Sequence, residues 1–127
     1  MEIGIGGAKL SLEPHRRTKE EIQFLVRYQD DQFSGYVVSS NYIVGSPAPL
    51  FRAMADAWRG WDAAMEWNDL ERTLSLHATC DSVGHVTLRV EMIRNYGMVG
   101  AGSLRGAIVI EAGQLDAVAK DVEALFG

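Results

Sequence analysis

His77, Asp81, His85 and Arg89 are the side chains of this sequence best suited to move a proton or hold an anion. Imidazole titrates near neutral pH, a carboxylate can orient it, and a guanidinium grips negative charge. Glu66, Asp69 and Glu71 form a second group in one short acidic stretch beside Trp61 and Trp67. Neighbouring carboxylates could do acid–base work. With no partner base or metal-binding histidine near them, they read more readily as a loop-ordering cluster. Trp61 and Trp67 lie just outside regular structure, where an indole either seals the core edge or offers a contact platform.

The element that must position the first group is a hairpin. Leu74, Leu76, Ala78 and Cys80 alternate with polar residues, and so do Val86, Leu88, Val90 and Met92. This is the period of two half-buried strands. Both apolar sets fall on even numbers, so residues opposed on one face must have an even sum. Cys80 then faces Val86 across a three-residue loop, Ser82 to Gly84, whose last residue takes the left-handed conformation. On the polar side Asp81 faces His85, Thr79 faces Thr87, His77 faces Arg89, and Ser75 faces Glu91. His77 and His85 are four residue pitches of ~3.3 Å apart, roughly 13 Å, too far to share a metal ion. His85 with Asp81 reads as a pair pinning the turn, with an acid–base role second. His77 has no orienting carboxylate in view. Cys80, on the inward face, reads as a buried thiol, and a lone cysteine forms no internal disulfide.

Around the hairpin, Glu2–Glu13, Ile22–Tyr28 and Phe33–Ile43 read as three antiparallel strands. Ser46 and Pro47 announce a helix in which Phe51, Met54, Ala55 and Trp58 form the inward stripe, with Gly60 ending it. Four glycines between Asn95 and Gly106 predict a flexible loop. Leu104–Glu111 follows as a strand apolar on both faces, hence central or covered twice. Leu115, Val118, Ala119, Val122 and Phe126 form a second amphipathic helix. The expected fold is one α+β domain over residues 1–127, in the order βββαβββα: a mainly antiparallel sheet of about six strands with two helices on one face.

Several function classes drop out. Gly4, Gly6 and Gly7 lack the third glycine of a dinucleotide fingerprint, and Gly100 and Gly102 lead into a strand rather than a helix. No P-loop or nucleophile elbow occurs. With 127 residues and a net charge of -5, the chain has no electrostatic footprint for nucleic acid. The basic cluster His15, Arg16, Arg17 and Lys19 is offset by Glu13, Glu20 and Glu21 and reads as a solvated loop. No signal segment or membrane-length apolar run is evident, which points to the cytoplasm. No cofactor or metal is implied.

Trp58-Arg-Gly-Trp61-Asp62, Trp67-Asn-Asp-Leu70-Glu71, Leu74-Ser-Leu76, Asp81-x-x-Gly84-His85-Val86-Thr-Leu88-Arg-Val90 and Glu111-Ala-Gly113-x-Leu115 together carry a family resemblance. In order and spacing they resemble the bacterial domain-of-unknown-function family six-two-two-eight (DUF6228), over about three quarters of the chain. The general layout is similar to that of WapI-type immunity proteins, which protect a bacterium from its own toxin. This resemblance implies a non-enzymatic protein-binding domain that neutralises a toxin, and an acidic protein suits a basic partner. The expected contact surface is Trp61, Trp67, Glu66, Asp69 and Glu71. The alternative is a small-molecule site or enzyme on the polar hairpin face, using His77, Asp81, His85 and Arg89. Self-association through exposed aromatics or the last strand would make a homodimer.

Overall fold

The computed structural model describes residues 1–94 and 99–127. Its first half is a meander of β1 (Glu2–Ile3), β2 (Lys9–Arg17), β3 (Ile22–Gln29) and β4 (Ser34–Ser40), followed by α1 (Ala48–Asp56). The second half holds β5 (Met65–Asn68), β6 (Leu74–Cys80), β7 (His85–Arg94) and β8 (Gly102–Glu111). A short 3-10 turn at Ala112–Gln114 then leads into α2 (Leu115–Phe126). The α+β class and both helices stand as the sequence predicts, but the single sheet of about six strands does not. Two antiparallel four-stranded sheets form instead, ordered β1-β2-β3-β4 and β5-β6-β7-β8.

Two local facts account for the added strands. The expected first strand is broken where Gly4 and Gly6 adopt positive φ, +124° and +79°, so the chain folds back and Ile3 pairs with Leu10. β5 is only four residues long, too short to stand out as a period of two.

The sheets bury one core between them. Phe24, Val26, Leu10 and Leu12 of the first sheet join Leu74, Leu76, Leu88, Ile108 and Ile110 of the second, all essentially sealed from water. Each such side chain contributes about 1.5–3 kcal/mol of burial free energy. One close approach sets the spacing. The Tyr28 ring lies on the backbone of Gly106, where an added Cβ would fall 2.3 Å from the ring. Beside it, Leu104 occupies the space a Cβ on Gly35 would need. The sheets are also stitched by backbone, since Ile5 N–H donates to the Val109 carbonyl (3.0 Å) at the outer edge of β8.

That contact corrects the reading of the last strand. β8 ends its sheet rather than lying at its centre, Ala107 is exposed and Val109 half-buried. β8 also begins at Gly102, inside the expected glycine loop; residues 95–98 of that loop lie outside the described residues.

The helices pack chiefly on each other, with α1 also meeting β5 and α2 meeting β2, so they bridge both sheets instead of covering one face of a single sheet. Arg52 of α1 ties them by ion pairs to Glu123 (2.6 Å) and Asp116 (3.0 Å) of α2. Ser46 accepts from Ala48 N–H (3.2 Å), but α1 begins one residue later than predicted, with Pro47 at its N-cap and no side-chain capping bond there. Trp58 leaves the inward stripe because α1 ends at Asp56; it is 55% exposed, with the Arg59 guanidinium 5.0 Å above its ring.

Candidate functional site

The polar hairpin face is built in the register that parity predicts. Cys80 pairs with Val86, Thr79 with Thr87, His77 with Arg89 and Ser75 with Glu91, and Gly84 closes the turn at φ +87°. β5 and β8 widen this face on either side. Glu66 lies opposite His77, and Asn68 opposite Ser75; across β7, Arg89 meets Ala107 and Glu91 meets Arg105. The result is two cross-strand rows, Glu66–His77–Arg89–Ala107 and Asn68–Ser75–Glu91–Arg105. They floor a shallow dish of about 590 Å³.

Charges in the dish are mutually satisfied. His77 Nε2 lies 3.4 Å from Glu66 Oε1, supplying the orienting carboxylate that the hairpin alone does not reveal. Arg89 donates to the Thr79 hydroxyl (3.3 Å), and Arg105 is paired with Glu91. One atom is left over: His77 Nδ1 is shut from solvent with no hydrogen-bond partner among the described residues. An imidazole that donates from Nε2 to a carboxylate presents a bare acceptor at Nδ1. As chemistry, Glu66–His77 resembles the orienting half of an acid–base pair. Ser75, the hydroxyl in the dish, belongs to the same strand two residues away, roughly 7 Å along the backbone, which does not align it with the imidazole.

The structure therefore divides the predicted small-molecule site. His77 and Arg89 line the dish, while Asp81 and His85 stand at the hairpin turn outside its lining. Asp81 pins that turn: its Oδ1 accepts the backbone N–H of both Val83 and His85 (each 2.9 Å), and its Oδ2 lies 3.3 Å from His85 Nδ1. The His85 backbone amide, the Val83 amide and the nearby imidazole hold the Asp81 carboxyl below its ordinary value. Cys80 is only partly covered, and its thiol contacts the Asp81 carbonyl (3.4 Å).

The predicted contact surface is dispersed. Trp61 is half-buried and donates through Nε1 to the Ala78 carbonyl (3.3 Å). Trp67 is likewise packed on the core, its ring 6.3 Å from Phe24 and its Nε1 donating to the Gly45 carbonyl (3.3 Å). Asp69 is an interior residue at 4% exposure. Its Oδ2 accepts from the Ser39 hydroxyl (2.6 Å) and its Oδ1 from Thr73 N–H (2.8 Å), fastening the β5–β6 loop to β4. Glu66 and Glu71 remain exposed, but they line different depressions.

Glu91 and Arg105 are the residues that the expected sites omit. Their opposition follows from the β7–β8 register, which a strand beginning at Gly102 would have disclosed. Among the described residues no set of three His, Cys, Asp or Glu side chains is gathered as metal ligands. No described helix is long and apolar enough to cross a membrane.

Comparison with known proteins found no match among curated proteins. The profile of one family, described as a family of unknown function, covers residues 5–127, nearly the whole chain and every strand and helix except β1. The matched span takes in the hairpin, the tryptophans and the acidic loop, and the chain is a member of the DUF6228 family.

Proposed function

We propose that this chain is a cytoplasmic protein-binding domain of the immunity type, which neutralises a toxin by occupying it, and that the outer face of β5–β8 is its contact surface. The observation that carries the reading is the array of Glu66, His77, Arg89, Glu91 and Arg105, side chains of both signs fixed on four rigid strands around a shallow dish. Such an array suits a protein partner because paired surface charges set register and reject wrong partners while costing little to present. A net charge of -5 would steer a basic partner toward the domain, with the local pattern deciding how it docks. The half-buried indoles of Trp61 and Trp67 then act as supports beneath β5 and β6 rather than as contact residues.

The test is capture from native-host lysate with the tagged chain beside an Arg89→Glu/Arg105→Glu variant, followed by expression of any captured protein alone. The expected result is one stoichiometric partner, lost with the variant and toxic when expressed without this chain. A captured protein that is harmless by itself rules out the immunity role. A partner retained by the variant rules out this face.

The lining of the dish, with the Ser75 hydroxyl and the Arg89 guanidinium on adjacent strands, favours a second reading, in which a small molecule places a carboxylate on Arg89 and a polar group on Ser75. Ligand bound only by the native state raises the melting temperature. A screen of hydroxy and amino acids would then raise it in the wild type but not in Arg89→Ala, and no shift in the wild type excludes this reading.

A further inference from the structure

The two sheets leave four lateral edges, and three are protected. β1 is two residues long, β5 is four residues long and carries Glu66, and β8 bears Arg105 and Glu111 and receives the Ile5 amide. Short length, charge and cover are the usual means of keeping an edge from pairing with another chain. β4 is neither short nor charged, and the β5–β6 loop reaches it through the inward-facing Ser39 side chain and not through its outward backbone groups. Its seven residues, Ser-Gly-Tyr-Val-Val-Ser-Ser, include no charge and no proline.

The hydrogen-bond phase of β4 is fixed at both ends. Asp30 N–H donates to the Phe33 carbonyl (2.9 Å) and Asn41 N–H to the Ile22 carbonyl (3.2 Å). Odd-numbered residues therefore direct their backbone groups toward β3, and Ser34, Tyr36, Val38 and Ser40 direct theirs outward. The backbone groups of Ser34, Tyr36 and Val38 find no partner beyond β3 among the described residues.

Charge is graded along this edge. At its start a groove of about 1210 Å³ is lined by Arg27, Arg72 and Arg94, none of which makes an ion pair among the described residues. Arg27 stacks on the exposed Tyr36 ring, 5.2 Å from its centre. Toward its end a second depression, shared with the first at Val38 and Glu71, is lined by Glu20 and Glu21, and Glu21 accepts the Ser40 hydroxyl. Arginines thus flank the Ser34 half of the strand and glutamates the Ser40 half, with Glu71 shared between the two depressions and Asp30 and Asp31 in the turn before Ser34.

We propose that β4 is a homodimerisation edge, pairing antiparallel with β4 of a second copy about a two-fold axis at Val37. In that register Tyr36 faces Val38 and Ser34 faces Ser40 of the other copy, so all outward backbone groups are paired and the two sheets join into one of eight strands. An isologous interface must be self-complementary, and the graded charge meets this condition. The arginines at the Ser34 end of each copy approach the glutamates at the Ser40 end of the other. A foreign acidic strand would satisfy only the basic half of the edge, which is why a second copy is the better occupant. The interface lies apart from the dish and is independent of the function proposed above.

The test is sedimentation equilibrium of the full chain up to about 100 µM, where even a micromolar dimer is populated. Two variants are run with it, Arg27→Glu/Arg94→Glu and Glu20→Lys/Glu21→Lys. Each variant alone juxtaposes like charges and should weaken dimerisation by at least about tenfold. Mixed in equal amounts, one copy presents acid at both ends and the other base at both ends, so a heterodimer should form. Native circular dichroism of each variant confirms folding. If a charge variant fails to fold, Val38→Pro, which removes one outward N–H from an edge strand that can tolerate proline, takes its place and should be monomeric. A wild type that stays monomeric throughout, a dimer unaffected by these changes, or folded variants that do not associate when mixed would each overturn the proposal.

Discussion

The outer faces of the two sheets meet water by different means. On β5–β8 each exposed charge in the dish has a cross-strand partner: Glu66 has His77, Glu91 has Arg105, and Arg89 has the Thr79 hydroxyl. On β1–β4 the exposed Tyr36 is stacked by Arg27, and Leu25 and Val38 stand half-buried. One face has its charges paired within the chain, and the other ends in a strand whose outward backbone groups are unpaired among the described residues.

The joint between the sheets gives the largest expected effect. Gly106→Ala would drive a methyl group into the Tyr28 ring and should destabilise the fold by about 3 kcal/mol in urea denaturation. Gly113→Ala, where a Cβ meets nothing within 4 Å, should change stability by less than about 0.5 kcal/mol. Equal effects at both positions would remove Gly106 as the point that sets sheet spacing. Ser39→Ala probes the opposite side of the sandwich by leaving the interior Asp69 carboxylate short of one donor, and a loss of about 2 kcal/mol is expected in the same assay.

A third prediction concerns acid. Asp81 is held below its ordinary 3.8 by backbone amides, Asp116 by Lys120 and then Arg52, and Glu123 below its ordinary 4.5 by Arg52. Lowered carboxyl values mean that their stabilisation is fully present above those ordinary values and is lost as pH falls through the lower, folded-state ones. A melting temperature flat from about pH 6 to pH 5 and falling below about pH 4 is expected, with a shallower fall in Arg52→Met. The smallest effect belongs to the dish. Arg105→Ala breaks an exposed pair and should cost under about 1 kcal/mol in stability, so any large effect on partner capture would report recognition and not folding.

How much of this was legible in the sequence depended on the reach of each signal. The β6–β7 hairpin could be paired residue by residue because two long alternating runs and one glycine leave a single register. Both helices announced themselves by Ser46 and Pro47 and by the spacing from Leu115 to Phe126. β5 did not, since four residues carry too little periodicity, and with it went the position of Glu66 beside His77. Trp58 was misplaced by extending a helical stripe past the residue where the helix ends. Asp69 looked like one more loop acid because its burial depends on Ser39, thirty residues earlier on another sheet. Division into two sheets was equally hidden, since local alternation says which face is buried and nothing about which strands lie side by side.

The stitch between Ile5 and Val109, with its companion from the Arg17 guanidinium to the Gly127 carbonyl across 110 residues, also has a meaning in time. During synthesis the first sheet leaves the ribosome with its apolar side uncovered, and the strand that closes it is made after the other seven described strands. Native topology of such long sequence separation folds slowly, because distant parts of the chain must meet before any of them is rewarded. Until β8 arrives, the Tyr28 ring lacks the Gly106 backbone it packs on, beside the open margin of β4. The nascent molecule is then most exposed to chaperones, and to other nascent copies, at the strands it completes first.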